Sequence, residues 1–208
     1  MNGDAVSTLA LSALCLYGLV TLVGKTLLQR HRDRDSGWRG IHGAPGNATW
    51  WAGMSLIVGI AGLPIALLLV PTEANVPTLR LALGALGYVV GFAFTLHAQA
   101  AMGRAWRIGV RPGEQTALKT DGPFRWCRNP VFAGMLATTG ALVVWSPALA
   151  MPWALLWLGL ELQVRVVEEP HLQAVHGDAY RAYARATGRF VPKLGRLRPQ
   201  GPQDPQHG

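Results

Sequence analysis

Apolar positions in this chain fall into five runs separated by polar or basic connections. Ala5–Val23, Trp50–Val70 and Leu79–Ala101 each approach the roughly 20 residues a helix needs to cross a bilayer. Val131–Trp145 and Ala148–Gln163 hold about 15 residues each, near 23 Å at 1.5 Å per residue. Runs that short span a membrane when flanking residues extend them or the bilayer thins. Ser146-Pro147 between the last two reads as a tight turn. The pattern predicts an all-α, polytopic membrane bundle of about five transmembrane helices. A C-terminal cytosolic helix follows over Pro170–Thr187, with Gly188 as its stop. Pro170 suits the first turn of that helix and implies a kink or break at Glu169, and Pro64 implies a kink in the second run.

Local features refine this frame. Met1-Asn2-Gly3-Asp4 carries no Lys or Arg, which favours a retained first helix over a signal peptide. Trp50-Trp51 fits an interfacial belt. Gly87 and Gly91 form a small-xxx-small pair, read as close packing against a helix of the same chain in preference to a homodimer seam. His97, near the end of the third run, reads as a packing residue. Pro112-Gly113 marks a turn in the long polar connection after the third run. Residues 1–101 read as a three-helix scaffold, 102–192 as the functional region, and 193–208 as a disordered tail that includes the proline-rich Pro199–Gly208.

Composition supports the membrane reading. Half of the 208 residues are apolar and 14% are charged, against about 25% in an average soluble domain. The net charge of +8 raises nucleic acid as a partner, but its placement argues against one. Of the 19 Lys and Arg, 18 fall in residues 25–39, 104–128 and 165–198, and only Arg80 lies elsewhere. Five spans put those three segments on one side, and basic residues accumulate on the cytoplasmic side. The N-terminus is then outside and the C-terminus cytoplasmic, in what reads as a bacterial inner membrane. The charge is juxtamembrane, which favours anionic headgroups. Cys15 lies in an apolar run and Cys127 in a basic loop, so no disulfide is expected and Cys127 reads as a thiol near the site. No metal-spaced cluster, nucleotide-phosphate loop or serine-type triad stands out.

Candidate chemistry concentrates between Gly122 and Pro192, where charge lies directly against membrane-grade apolar runs. Arg165 lies four residues after Glu161, three before Glu168 and four before Glu169, so one helix face can hold all four. They read either as a solvent-facing ion network or as a site exposed by the break before Pro170. Arg125 and Arg128 suit a carboxylate or phosphate, or serve only as anchors beside Asn129, a helix N-cap candidate. Gly134 permits close approach at the first turn of the fourth run. Tyr180 and Tyr183 either stack on a flat ring or pack on the membrane face.

In order along the chain these elements are Gly122-Pro123-Phe124-Arg125, Arg128-Asn129-Pro130-Val131-Phe132-Ala133-Gly134, Glu168-Glu169-Pro170-His171-Leu172, Gly177-Asp178-Ala179-Tyr180-Arg181-Ala182-Tyr183 and Arg189…Pro192. Five such motifs in sequence resemble the isoprenylcysteine carboxyl methyltransferase family of membrane enzymes, which extends to phospholipid methyltransferases. The upstream Gly103-Arg104-Ala105-Trp106-Arg107 is similar to bacterial members. The resemblance covers roughly Gly103 to Pro192. It implies S-adenosylmethionine as methyl donor, bound by the C-terminal elements at the cytosolic face, and lipophilic acceptors drawn from the bilayer. Carried over, Gly122, Arg125, Arg128, Asn129, Pro130, Gly134, Glu169, Tyr180 and Tyr183 lie at the cofactor. Glu168 and Glu169 match the acidic pair at methyl transfer, with Arg165 near enough to orient a substrate carboxylate. Asn129 stands where the family has His, so a titrating role is lost there, and Phe132 replaces a Tyr. Both departures imply that the cofactor pocket survives while the substrate chemistry differs.

The implied reaction is direct displacement at a sulfonium methyl, with nucleophile, carbon and sulfur aligned and water excluded. A carboxylate acceptor needs no base, whereas an amine or thiol gives its proton to Glu168 or Glu169. The rival readings are an NADPH-dependent membrane sterol or enone reductase, which shares an Arg-His-Pro-Asn-Tyr-like motif, and a non-catalytic protein of the same fold. The reductases lack Glu-Glu-x-x-Leu followed by Gly-x-x-Tyr-x-x-Tyr, which this chain has.

Overall fold

The computed structural model describes residues 1–34, 44–103 and 117–198. Arg39, the Arg104–Arg107 part of the upstream motif, Arg111, the Pro112-Gly113 turn and the Pro199–Gly208 tail lie outside the described residues. Seven α-helices run through the rest. Helix α1 (Gly3–Gly18) passes through a π-helical turn, Leu19–Gly24, into α2 (Lys25–Asp33). Then come α3 (Ala48–Leu69), α4 (Thr78–Met102), α5 (Pro130–Trp145), α6 (Ala150–Gln163) and, after a second π-helical turn at Val164–Glu168, α7 (Glu169–Ala186). Among the described residues there is no strand; Cys127 and Gly188 form an isolated parallel bridge.

Polar residues start the helices and apolar runs sustain them. The Asn2 side chain accepts from the Ala5 amide at 3.0 Å and caps α1. Asn47 does the same for α3 through Trp50 N at 2.8 Å. Among the described residues four helices are long and apolar enough to cross a membrane: Gly3–Arg32, Ala48–Leu69, Thr78–Met102 and Pro147–Ala186. The protein is thus an integral membrane helical bundle. The fifth apolar helix, α5, has 16 residues, about 24 Å of helix. It still runs from one end of the bundle to the other beside α4. In the last long helix the apolar, membrane-spanning part ends with α6, and the charged residues that follow lie beyond it.

The sequence reading placed a break before Pro170, but there the helix continues. The π-helical turn delivers the Glu169 amide to the Val164 carbonyl, five residues back, just ahead of a proline that has no amide to donate. The real departure from helical geometry is Gly177, at φ 52° and ψ −125°, a conformation that suits glycine. Pro64 sits inside α3, which runs unbroken from Ala48 to Leu69.

Close helix contacts organise the bundle. Helix α4 lies along α5 and α3 along α6. A β-carbon at Gly91 would lie 2.6 Å from the Thr138 amide nitrogen, and one at Gly87 would lie 3.0 Å from Ala141 Cβ. The Gly87/Gly91 pair therefore seats a helix of the same chain. On the other seam a β-carbon at Gly159 would lie 2.6 Å from Leu56 N. In lipid, where helix association gains little from the hydrophobic effect, this closeness is what packing stabilises.

Polar contacts fix which ends meet. Met1 and Val76 exchange backbone hydrogen bonds at 3.2 and 3.1 Å. The hydroxyls of Ser7, Thr72 and Ser146 form a chain at 2.7 and 3.0 Å. Arg80 pairs with Glu73 at 2.6 Å and donates to the carbonyls of Val144 and Trp145. At the opposite end Lys25 Nζ reaches Gln99 O at 3.2 Å. The continuous α1–α2 helix, α3, α4, α5 and α6 alternate in direction, so Arg80 stands at one end and the other described Lys and Arg residues at the other.

Gly91→Ala and Gly159→Ala are expected to lower the thermal unfolding midpoint in detergent, each by the overpacking cost of about 1–3 kcal/mol. Gly18, with open space where a β-carbon would go, is expected to accept Ala with no loss. Equal melting of all three variants would refute the seam.

Candidate active site

Gly122, at φ 56°, opens a short 3-10 turn over Gly122–Arg125 that buries Pro123 and Phe124. The chain then runs beside the segment that follows α7. Arg128 N donates to Gly188 O at 2.8 Å and Asn129 N to Arg189 O at 3.0 Å. Cys127 is buried and free, and burial pushes its thiol up to about 11, so it stays neutral. Leu197 N donates to Ala184 O at 2.9 Å, returning the C-terminal segment to α7.

An ionic cluster joins these pieces. The Arg128 side chain is 2% exposed. Its Nη1 donates to Ala184 O at 3.0 Å and to Thr187 O, and its Nη2 donates to Glu169 Oε1 and to Gly195 O at 3.1 Å. Arg189 grips Glu169 with two bonds, Nε to Oε1 and Nη2 to Oε2, each 2.9 Å. The third Arg189 nitrogen, Nη1, reaches Glu161 Oε1 at 2.7 Å, and Arg165 Nε donates to the same oxygen.

The two adjacent glutamates therefore differ. Burial alone would raise the Glu169 carboxyl, but hydrogen bonds from Arg189 and then Arg128 outweigh it and hold the group below the usual carboxylate range. Arg189 is raised in turn, chiefly by its bonds to Glu169. Among the described residues no hydrogen bond or ion pair reaches Glu168, and burial followed by the neighbouring Glu169 charge pushes it up to about 7.

Several expected site residues do meet here. Arg128, Asn129 and Glu169 share the cluster, and buried Tyr180 lies against it. Tyr183 donates its hydroxyl to Phe124 O at 2.6 Å, and its ring meets that of Tyr180 edge to face at 6.4 Å. Arg165 joins through Glu161 rather than through Glu168 or Glu169. Asn129 occupies the N-cap position of α5 without capping it; its Nδ2 donates to Arg189 O at 3.3 Å instead. The Arg128 guanidinium, read as an anion receiver, is already engaged with three carbonyls and a carboxylate. Gly122 and Arg125 are exposed. Pro130 is buried at the start of α5, and Gly134 faces Thr95 of α4, so its smallness serves helix packing. Arg189 and Glu161 are cluster members that the expected site omitted. Arg189 lies 20 residues from Glu169, beyond what helical spacing reveals.

A bundle of membrane-crossing helices with an ionic cluster at one end is the class that fold and site define. Residues 79–179 match the family described as phospholipid methyltransferase. Over that region, just under half of the chain, the sequence is similar to this family of membrane methyltransferases, in agreement with the resemblance carried by its motifs. The match takes in α4, α5, α6 and the glutamate pair, and stops just before Tyr180. No curated protein matches the chain.

The glutamates predict opposite pH responses. A depressed carboxyl stabilises the fold above its unfolded range near pH 4 and loses that contribution as pH falls through the folded value. Glu169→Gln is thus expected to lower the melting midpoint at pH 7, with the difference shrinking toward pH 3. A raised carboxyl stabilises the fold only at low pH and loses that contribution as pH rises through about 7. Glu168→Gln is therefore expected to raise the midpoint at pH 8 and to leave it unchanged at pH 4. Melting curves of both variants across this range check the signs.

Proposed function

We propose that this protein transfers a methyl group from S-adenosylmethionine to a lipophilic or small acceptor at the membrane surface. The observation that carries the reading is the family match over residues 79–179, which includes Arg128, Glu168 and Glu169. The distribution of basic residues supports a cytoplasmic location for this end, with the N-terminus outside, as in a bacterial inner membrane.

The residues present fit such a donor. Arg128 Nε is a buried donor with no acceptor among the described residues. S-adenosylmethionine carries a carboxylate at its amino-acid end, which calls for such a donor. Arg128, Asn129, Glu169, Tyr180 and Tyr183 would hold it, with Gly122 and Arg125 on the approach. Bound there, it supplies a methyl carbon made electrophilic by a positive sulfur.

The chain's own residues do the rest. Arg128 and Arg189 fix Glu169, which keeps the junction of α7 and the C-terminal segment in one geometry. Glu168, free of a guanidinium and poised near neutrality, takes the proton of an amine or thiol acceptor. Arg165, half-exposed beside Glu161, orients the acceptor.

Calorimetry on detergent-purified protein tests the reading. S-adenosylhomocysteine is expected to bind with a Kd on the order of micromolar, within the usual range for enzyme ligands. NADPH binding in its place would identify a reductase, and no binding of either by folded protein a non-catalytic relative. Glu168→Gln is expected to retain S-adenosylhomocysteine binding. With an amine or thiol acceptor it should lose turnover by about 10²–10⁴-fold, the usual contribution of a general base. A carboxylate acceptor would leave turnover nearly intact.

A further inference from the structure

The π-helical turn at Leu19–Gly24 and the last turns of α4 enclose an apolar groove of about 500 Å³. One wall is Val20, Val23 and Leu27, the other Leu96 and Ala100, and its two polar lining residues are Lys25 and Gln99. Polar contacts between the walls fix its width. Tyr17 OH donates to Thr95 Oγ1 at 3.3 Å, and Gln99 Nε2 donates to Thr21 O at 2.9 Å. Leu19, Val23 and Leu27 stay about half exposed or more, at 59%, 48% and 60%.

The groove gives way to positive charge. Helix α2 continues from Lys25 with Arg30 and Arg32, and Arg34 caps it, against the one acid Asp33. Arg32 is exposed and, seven residues after Lys25, falls on the same helix face. An apolar slot that ends in cations at the edge of the hydrocarbon complements a molecule with an acyl chain and an anionic head. A zwitterionic lipid fills the slot equally well but gains less at the basic end.

We infer that this groove binds an anionic phospholipid, its acyl chain along Val20, Val23, Leu27 and Leu96 and its phosphate near Lys25 and Arg32. The groove is built partly from the Leu19–Gly24 turn and α2, outside the matched family region, and shares no residue with the ionic cluster, so the site stands whether or not the proposed reaction does.

Native mass spectrometry tests it on the full chain released from micelles holding equal amounts of phosphatidylglycerol and phosphatidylcholine. Wild type is expected to retain phosphatidylglycerol over phosphatidylcholine by about ten-fold, the scale of one or two basic contacts. Arg32→Glu should bring that ratio near one while phosphatidylcholine retention stays as it was. Gly24→Leu should reduce retention of both lipids, because a β-carbon there meets only Leu19 O, at 3.4 Å, leaving room for a side chain in the groove. Thermal midpoints show which variants fold, and Arg32→Glu on the protein surface decides alone if Gly24→Leu does not. Equal retention of the two lipids by wild type, a preference that survives Arg32→Glu, or a dimer that carries no lipid would overturn the inference.

Discussion

The buried guanidinium of Arg128 is the constraint on which the membrane-edge half of the protein depends. Removing such a charge from water costs several kcal/mol, recovered only if good acceptors surround it. Here the acceptors come from the end of α7, the start of α7 and the C-terminal segment. None of these can move away without leaving a charge unpaired, a loss of about 3–5 kcal/mol for a buried pair. Glu169 extends the constraint to Arg189, and Arg189 extends it to Glu161 in α6. Two guanidiniums thereby meet two carboxylates, and four pieces of chain that are distant in sequence share one locked junction.

That junction needs a rigid base. Helices that are apolar all round have no preferred face in lipid, so their register must come from shape and from a few polar contacts. Glycines supply the shape along α4/α5 and α3/α6. The polar contacts are sparse and local: Trp145 Nε1 to Leu81 O at 2.9 Å, Tyr88 OH to Ala13 O at 2.8 Å, and the Ser7–Thr72–Ser146 hydroxyls. Each satisfies a group that lipid cannot, and so each selects one alignment of neighbouring helices. With α5 and α6 so aligned, Arg128 at the foot of one shares the Glu169 carboxylate with Arg189, and Arg189 also reaches Glu161 at the foot of the other.

How much of this was legible depended on the range of the interaction. The apolar runs gave α3 to α6 to within a few residues, because span length is set by the bilayer, but the first helix runs on through the basic residues to Asp33, ten residues past the end of its apolar run. The Gly87/Gly91 spacing gave a close helix contact, and the clustering of basic residues gave a common end. The Glu161–Arg165 pair followed from four-residue spacing. The continuous helix through Pro170 was not legible, since a π-helical turn leaves no compositional mark and the proline argued for a break. Nor was the use made of Arg128 and Asn129. Residue type advertises what each can bond, whereas the partners, Thr187 O, Gly195 O and Arg189 O, are backbone groups brought in by the fold.

The glutamate pair shows how the same limit bears on function. Consecutive residues on a helix point about 100° apart, so adjacency in sequence guarantees difference in surroundings. The π-helical turn ends at Glu168, and α7 begins at Glu169, which sets where each side chain emerges. Glu169 emerges between two arginines, and its charge is consumed in holding the junction. Glu168 emerges without a cation of its own, and burial, followed by the neighbouring Glu169 charge, drives its carboxyl toward the protonated form. A motif of two acids thus separates, in three dimensions, into one carboxylate held by two arginines and one with no cation among the described residues. The first arrangement requires partners that the second lacks, and a single glutamate cannot have both surroundings.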